Sequence, residues 1–170
     1  MPAFFIHGLH AYLLYDYEGI IYGILPDFLS WGYFFIKKTP FYISNIPNYL
    51  SYLHKNNYNI NKLNEKIRPP LNEYTNFDYT LYNIFHSIFT WILIYLLTKN
   101  KLFLISILSI IIDIFLHSKD YLPTPFLYPL SNYKFDGINW GTLNGILITF
   151  IITIILYYFK DYIVNTINKF

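Results

Sequence analysis

Three stretches of the chain are apolar almost without interruption. Residues 79–98 form a run of 20 with no Asp, Glu, Lys or Arg, and residues 138–159 a run of 22. At 1.5 Å rise per residue, a helix over either run is long enough to cross a hydrocarbon core of about 30 Å. Residues 102–118 make a third stretch, apolar except for Asp113 and His117 near its end. Asn100, between Lys99 and Lys101, leaves room only for a tight connection, so the stretches at 79–98 and 102–118 are expected to be antiparallel neighbours.

The N-terminal pattern is different. Residues 4–15 and 20–31 are both apolar, but Asp16, Tyr17, Glu18 and Gly19 lie between them. This predicts a helical hairpin whose charged tip faces water, with Gly19 letting the chain turn. Twelve-residue arms are too short to span alone, so the pair is expected to insert partly or to pack on the other helices. The first 25 residues lack the positive start and small-residue cleavage site of a secretory signal.

Between residues 37 and 78 the character changes. That stretch holds six Lys or Arg, most of the Asn, and the breakers Pro40, Pro47, Pro69 and Pro70. It reads as an extramembrane insert with short helices near 48–55 and 61–67. A second connection, 119–137, carries Pro123, Pro125 and Pro129 and is expected to be an extended, stiff loop. No internal repeat is visible. The expected architecture is a single all-α domain over 1–170: a polytopic helical membrane protein with about three spanning helices and an N-terminal helical hairpin.

Composition strengthens that picture. Charged residues are 13% of the chain, about half the usual 25% of globular proteins, and 55% of residues are apolar. Lys plus Arg exceed Asp plus Glu by only 12 to 10, too little field to favour nucleic acid. The absence of cysteine excludes disulfides, thiolate ligands and a Cys nucleophile. The loops at 37–78 and 119–137 share one side of the membrane and carry most of the basic residues, which leans that side toward the cytoplasm. The many Tyr and Trp are read as interfacial anchors.

Against this background the ionisable residues inside the apolar stretches stand out. An Asp at mid-helix costs about 2.5–3.5 kcal/mol on insertion scales, so such groups pair with something and mark function. Asn83, His86, Ser87 and Thr90 follow the i, i+3, i+4, i+7 spacing of one helical face. Ser106, Ser109, Asp113 and His117 run along another, with Asp113 and His117 one turn apart. Thr142, Gly145, Thr149 and Thr153 form a small, hydroxyl-bearing stripe suited to close helix packing. His7 and His10 share a face at i, i+3, and the hairpin would bring them back beside Asp27.

Following the chain up and down brings these residues to one level, on the side of the two long loops. His7, Asp27, His86, Asp113 and His117 are the candidate metal ligands, and Asp27 doubles as a candidate general base. His10, Ser87, Ser109 and Asp120 are weaker candidates for supporting positions. About three His with two Asp suit Zn²⁺ best, with Mn²⁺, Mg²⁺ or Fe as alternatives. Such an ion would neutralise the carboxylates and could activate a water. Two other readings stay open: a non-catalytic membrane scaffold whose buried polar residues only pair helices, and a transporter of metal ions or protons. The far halves of the stretches, at 92–97 and 102–105, are apolar and give a transporter no continuing path. His54, in the Asn-rich insert, is expected to be solvated.

Several segments resemble a known family. Ile24-Leu25-Pro26-Asp27, Phe85-His86-Ser87, Ile112-Asp113 and the stretch from Leu116-His117-Ser118 through Pro125-Phe126-Leu127-Tyr128-Pro129-Leu130-Ser131 are similar to motifs of the membrane-bound metal-dependent hydrolases of bacteria. These are inner-membrane hydrolases with a general likeness to zinc-dependent phospholipase C. The order and rough spacing agree over most of the chain, outside the 37–78 insert and the C-terminal tail. The resemblance implies that His7, Asp27, His86 and Asp113 match metal-site positions, with His117 a further ligand. It also implies a multi-pass inner-membrane location, and the favoured function is metal-assisted hydrolysis of a phosphoester in or near the lipid headgroups. The chain departs from the family pattern at Leu29, Leu81, Tyr82 and Ser109, where members often carry Asp, His, Arg and His.

Overall fold

The computed structural model describes residues 2–56, 71–117, 123–139 and 142–169, and among these every regular element is a helix. Helix α1 (Pro2–Lys55) is two helices joined at a sharp break, where Tyr15 (φ −135°, ψ 28°) and Asp16 (φ 51°, ψ −139°) leave helical geometry. Helices α2 (Asn76–Phe85), α3 (Ile88–Thr98), α4 (Phe103–Leu116) and α5 (Leu143–Ile167) follow, with a short 3₁₀ turn at Leu71–Glu73.

The break in α1 makes the expected hairpin, but not through Gly19. The turn falls on Asp16, a non-glycine residue at positive φ. Gly19 lies in the second arm at a close approach: a Cβ there would run into the Ala11 carbonyl. A Cβ on Gly23 would likewise meet Ala11 and the His7 carbonyl, and one on Gly8 would press on Ile24. Small residues at 8, 11, 19 and 23 therefore let the two arms lie nearly backbone to backbone, as in small-xxx-small packing of membrane helices.

The second arm does not stop near Trp31. It continues to Lys55 through Pro26, Pro40 and Pro47. Its 39 residues, 17–55, make a helix of about 58 Å, nearly twice a hydrocarbon core. The part of the expected insert up to residue 55 is helical and continuous with α1, and the 61–67 helix lies outside the described residues. Pro26 lacks the N–H that would bond the Tyr22 carbonyl. The Ser106 hydroxyl of α4 donates to that carbonyl instead, at 2.6 Å. A neighbouring helix thus satisfies the group that proline frees.

The apolar stretch 79–98 is also not one straight helix. It is divided at His86–Ser87 into α2 and α3, which meet at 61°. Local chemistry explains the division. Thr75 and Asp78 form a capping box at the start of α2. Ser87 adopts extended geometry and accepts from the Phe89 N–H as N-cap of α3, the role for which serine is favoured. The Phe85 carbonyl, left open by the break, accepts from the Trp91 indole N–H at 2.7 Å. The expected single polar face of Asn83, His86, Ser87 and Thr90 is therefore split between two helices.

Two helices, α1 and α5, are long and apolar enough to cross a membrane, and the bent α2–α3 pair adds a third if it counts as one span. Helix α4 has 14 residues, about 21 Å, and is too short to span by itself. It packs against α1, α3 and α5, while α1 also packs on α2 and α5. Trp31 and Phe34 of α1 meet Tyr82 of α2 in one buried cluster. Ile112 and Leu116 of α4 meet Leu156 of α5 in a second. The outer face of α5 is exposed along its length, from Leu143 through Phe150, Ile151 and Tyr158 to Tyr162. Such a surface suits contact with lipid.

The proline-containing loop is bound at both described ends. The Ile88 N–H donates to the Phe126 carbonyl at 3.1 Å, and the Ser87 hydroxyl donates to the Tyr128 carbonyl. The Tyr128–Pro129 bond is cis. The loop returns along the end of α4, where Gly137 and Ile138 N–H groups donate to the His117 and Phe115 carbonyls at 3.0 and 2.8 Å. Gly137 sits so close to α4 that a Cβ would meet the Ile114 and Phe115 carbonyls.

Candidate metal centre

Four segments converge on one buried point. Asp27 comes from the second arm of α1, one residue after Pro26. His86 sits at the α2–α3 break, Asp113 in the last turn of α4, and His117 caps that helix. His7 reaches in from the first arm of α1. His86 is fully buried and Asp113 is 1% exposed, which would be costly for unpaired polar groups.

The contacts close tightly. His86 Nε2 lies 3.2 Å from Asp27 Oδ1 and 3.6 Å from Asp113 Oδ2. His117 Nε2 lies 3.4 Å from Asp113 Oδ1. His7 Nε2 is nearer, 2.7 Å from Asp113 Oδ1 and 3.9 Å from Asp27 Oδ2. Asp27, His86 and Asp113 each offer an atom within 4.8 Å of the others, a group that could hold a metal ion.

Ser30, one turn after Asp27, fixes the state of His86. Its hydroxyl has a single hydrogen, which it donates to the Pro26 carbonyl at 2.6 Å. Its oxygen also lies 3.0 Å from His86 Nδ1, so in this contact the imidazole N–H is the donor. His86 in its neutral form then carries its proton on Nδ1 and presents a bare lone pair at Nε2. The groups facing that lone pair are carboxylate oxygens of Asp27 and Asp113. Three acceptors pointed at one another need a cation between them, either further protons or a metal ion.

The spacing fits an ion. Ligands about 2.0–2.2 Å from a tetrahedral Zn²⁺ stand about 3.3–3.6 Å apart. The His86–Asp113 separation of 3.6 Å falls within that range, and the His86–Asp27 separation of 3.2 Å, also a hydrogen-bond distance, falls just below it. The unpartnered atoms agree: Asp27 Oδ2, Asp113 Oδ2 and His117 Nε2 are all buried without a hydrogen-bond partner. The His7–Asp113 distance of 2.7 Å is a hydrogen bond instead, suited to orienting the Asp113 carboxylate. Tyr82 packs at a tilt against His86 with ring centroids 4.1 Å apart, and its hydroxyl lies 3.4 Å from His117 Nδ1.

The weaker candidates occupy other places. His10 Nε2 bonds Thr153 of α5 at 2.9 Å. Ser87 caps α3 and holds the proline-containing loop. Ser109 donates to the Ile105 carbonyl within its own helix at 3.2 Å. Asp120 lies outside the described residues. Ser30 and Tyr82 are the contacts that spacing alone missed as parts of the site; the i+3 step from Asp27 to Ser30 was the available signal. Comparison with known protein families, with curated proteins and with solved structures gives no match.

Proposed function

We propose that this protein is a multi-pass membrane hydrolase dependent on a divalent metal ion, acting on a phosphoester in or near lipid headgroups. The observation that carries the reading is the placing of His86 Nε2 3.2 Å from Asp27 and 3.6 Å from Asp113, with Ser30 at Nδ1. His86, Asp27 and Asp113 would hold the ion, with His117 completing the set and His7 orienting Asp113. Zn²⁺ suits this donor set best, with Mn²⁺, Mg²⁺ and Fe²⁺ as alternatives. The chemistry supplied by a bound ion is Lewis acidity toward a phosphoryl oxygen and acidification of a water. Asp27, 7% exposed, can take a proton as general base through its unpartnered Oδ2. His117 is 14% exposed and marks the open edge of the cluster. The resemblance of the Leu25-Pro26-Asp27 and His86-Ser87 segments to the bacterial membrane hydrolases points the same way and would imply an inner-membrane location.

The burial of His86 and Asp113 also favours a second reading, a non-catalytic scaffold in which polar contacts pin the helices together. Metal content of the detergent-purified protein separates the two. Near-stoichiometric zinc or manganese, lost in His86→Ala and Asp113→Ala, supports the hydrolase and calls for assay of phosphatidic acid and related phosphoesters. A parent protein that takes up none of Zn²⁺, Mn²⁺, Mg²⁺ or Fe²⁺ after reloading leaves the scaffold.

A further inference from the structure

Two buried ring nitrogens on the first arm of α1 have no partner: Nδ1 of His7 and Nδ1 of His10. Both residues are 2% exposed. The other nitrogen of each ring is engaged, and its partner fixes where the hydrogen sits. His7 Nε2 stands 2.7 Å from Asp113 Oδ1, and a carboxylate only accepts, so Nε2 carries the hydrogen. His10 Nε2 stands 2.9 Å from the Thr153 hydroxyl. That hydroxyl gives its one hydrogen to the Thr149 carbonyl at 2.8 Å, so here too the Nε2–H donates. In their neutral forms both rings leave Nδ1 as a bare acceptor.

The two acceptors are neighbours that do not touch. Residues i and i+3 of a helix stand about 5–6 Å apart at Cβ, and Nδ1 is a ring nitrogen close to the stem. The two nitrogens make no bond to each other, so they share no hydrogen directly. Protonating both rings would set two like charges side by side and leave each Nδ1–H without an acceptor among the described residues. A water between them meets both needs. Its two hydrogens reach acceptors about 4.5 Å apart, and two polar partners are enough to hold a buried water.

We propose that one buried water bridges His7 Nδ1 and His10 Nδ1, and that His10 through it positions His7 against Asp113. A donor at Nδ1 keeps the His7 hydrogen on Nε2, the hydrogen that reaches Asp113. Without that donor the neutral ring is free to carry its hydrogen on Nδ1, and a bare Nε2 would then face the carboxylate. Helix α5 supplies none of the candidate ligands, yet it acts on the cluster through Thr149, Thr153, His10 and the water. The effect on metal binding rests on the reading of the cluster as a metal centre; the water does not.

Two substitutions at position 10 separate the water from the Thr153 contact. His10→Asn can place its amide oxygen where Nδ1 stands but is too short to reach Thr153. His10→Gln places its amide nitrogen where Nε2 stands, keeping Thr153 and leaving nothing at Nδ1. Both are compared with the parent as full-length, metal-free protein in detergent, carrying isotope-labelled histidine. NMR of the ring nitrogens reads which one holds the hydrogen, and magnetisation transfer from water reads a long-lived water beside the rings. The parent and His10→Asn are expected to show His7 with its hydrogen on Nε2, an accepting Nδ1 and the water. His10→Gln is expected to lose the water and to show His7 in mixed tautomers. Zn²⁺ affinity, by competition with a chelator, should then fall about three- to tenfold in His10→Gln and less than about twofold in His10→Asn. The reverse order, with His10→Asn impaired and His10→Gln intact, overturns the proposal, because His10 would then act only through Thr153. A His7 ring unchanged in both variants overturns it, as does a parent spectrum with no water beside the rings, which decides the matter even if neither variant folds. A parent that shows the water and the tautomers but takes up no metal supports the water and sinks the hydrolase reading instead.

Discussion

Ser30 offers the sharpest single test of the metal centre, because it touches the proposed ion only through His86. Its hydroxyl accepts the His86 Nδ1–H at 3.0 Å while donating to Pro26 at 2.6 Å, so Nε2 is the ring nitrogen turned to Asp27 and Asp113. Ser30→Ala deletes the acceptor. The ring is then free to rotate or to place its proton on Nε2, and a protonated Nε2 is not a ligand. Partners that orient a ligating histidine are typically worth 10- to 100-fold in metal affinity, about 1.4–2.7 kcal/mol. Helix stability should change less, since the residue at 30 keeps the backbone N–H that an α-helix directs to the carbonyl of residue 26. Ser30→Thr retains the oxygen and is expected to stay within about threefold of the parent.

The assay is competition for Zn²⁺ between detergent-solubilised protein and a chromophoric chelator, beside thermal unfolding of the metal-free form. A 10- to 100-fold loss in Ser30→Ala with little change in metal-free melting is expected. Equal affinities for parent and Ser30→Ala would refute the tautomer argument, and with it the reason for placing an ion at Nε2. Equal losses in affinity and metal-free stability would mean that Ser30 only packs.

Three further outcomes are expected. Ser106→Ala should cost about 1 kcal/mol by orphaning the Tyr22 carbonyl, and less in a Pro26→Ala background where the helix supplies its own N–H; identical costs in unfolding measurements of the two backgrounds would show that the carbonyl is satisfied otherwise. Asp16→Gly should raise stability by about 1 kcal/mol, because a positive-φ position costs a non-glycine residue that order of energy; a lowered melting temperature would mean the Asp16 side chain matters more than its backbone. Metal affinity should fall as pH falls, because protons compete for the imidazole and carboxylate ligands; a flat profile from neutral to mildly acid pH, measured by the same chelator competition, would count against the site.

Much of the site was legible because membrane chemistry makes ionisable residues conspicuous. His7, Asp27, His86, Asp113 and His117 are rare interruptions in apolar sequence, and helix periodicity was enough to bring them to one level. The all-helical character was legible for the same reason. The course of α1 was not. Pro40 and Pro47 read as breakers, yet the helix passes through both. At Pro26 the hydroxyl that meets the freed Tyr22 carbonyl comes from Ser106, 84 residues from Tyr22 in sequence, and no local pattern announces it. The division of 79–98 was hidden by its unbroken apolarity. The stops there are supplied by Ser87, by the Trp91 indole and by a loop carbonyl from Phe126, and two of these contacts depend on the break already being present.

Those misread places and the site are related. Asp27 follows a proline, His86 occupies a helix break, and His117 is the residue at which α4 ends. A continuous helix projects side chains radially at fixed intervals, and its backbone keeps neighbouring axes about 8–10 Å apart. Here two carboxylates come within 3.2 and 3.6 Å of one His from three helices, and the chain turns toward the common point to do it. The 61° bend at His86 does that for the α2–α3 pair, and the glycines at 19 and 23 let the first arm of α1 come close enough for His7 to reach Asp113. Irregular backbone at this depth has polar groups that must be met, and Ser106, Trp91 and the Phe126 carbonyl meet them. The irregularities that defeat simple reading of the helices are therefore the means by which the cluster is assembled. If so, Trp91→Phe, which leaves the Phe85 carbonyl without its indole donor, should weaken metal binding as well as stability, although the Trp91 indole bonds Phe85 and not a residue of the cluster. Unchanged affinity in a destabilised Trp91→Phe protein would show that the break and the site are independent.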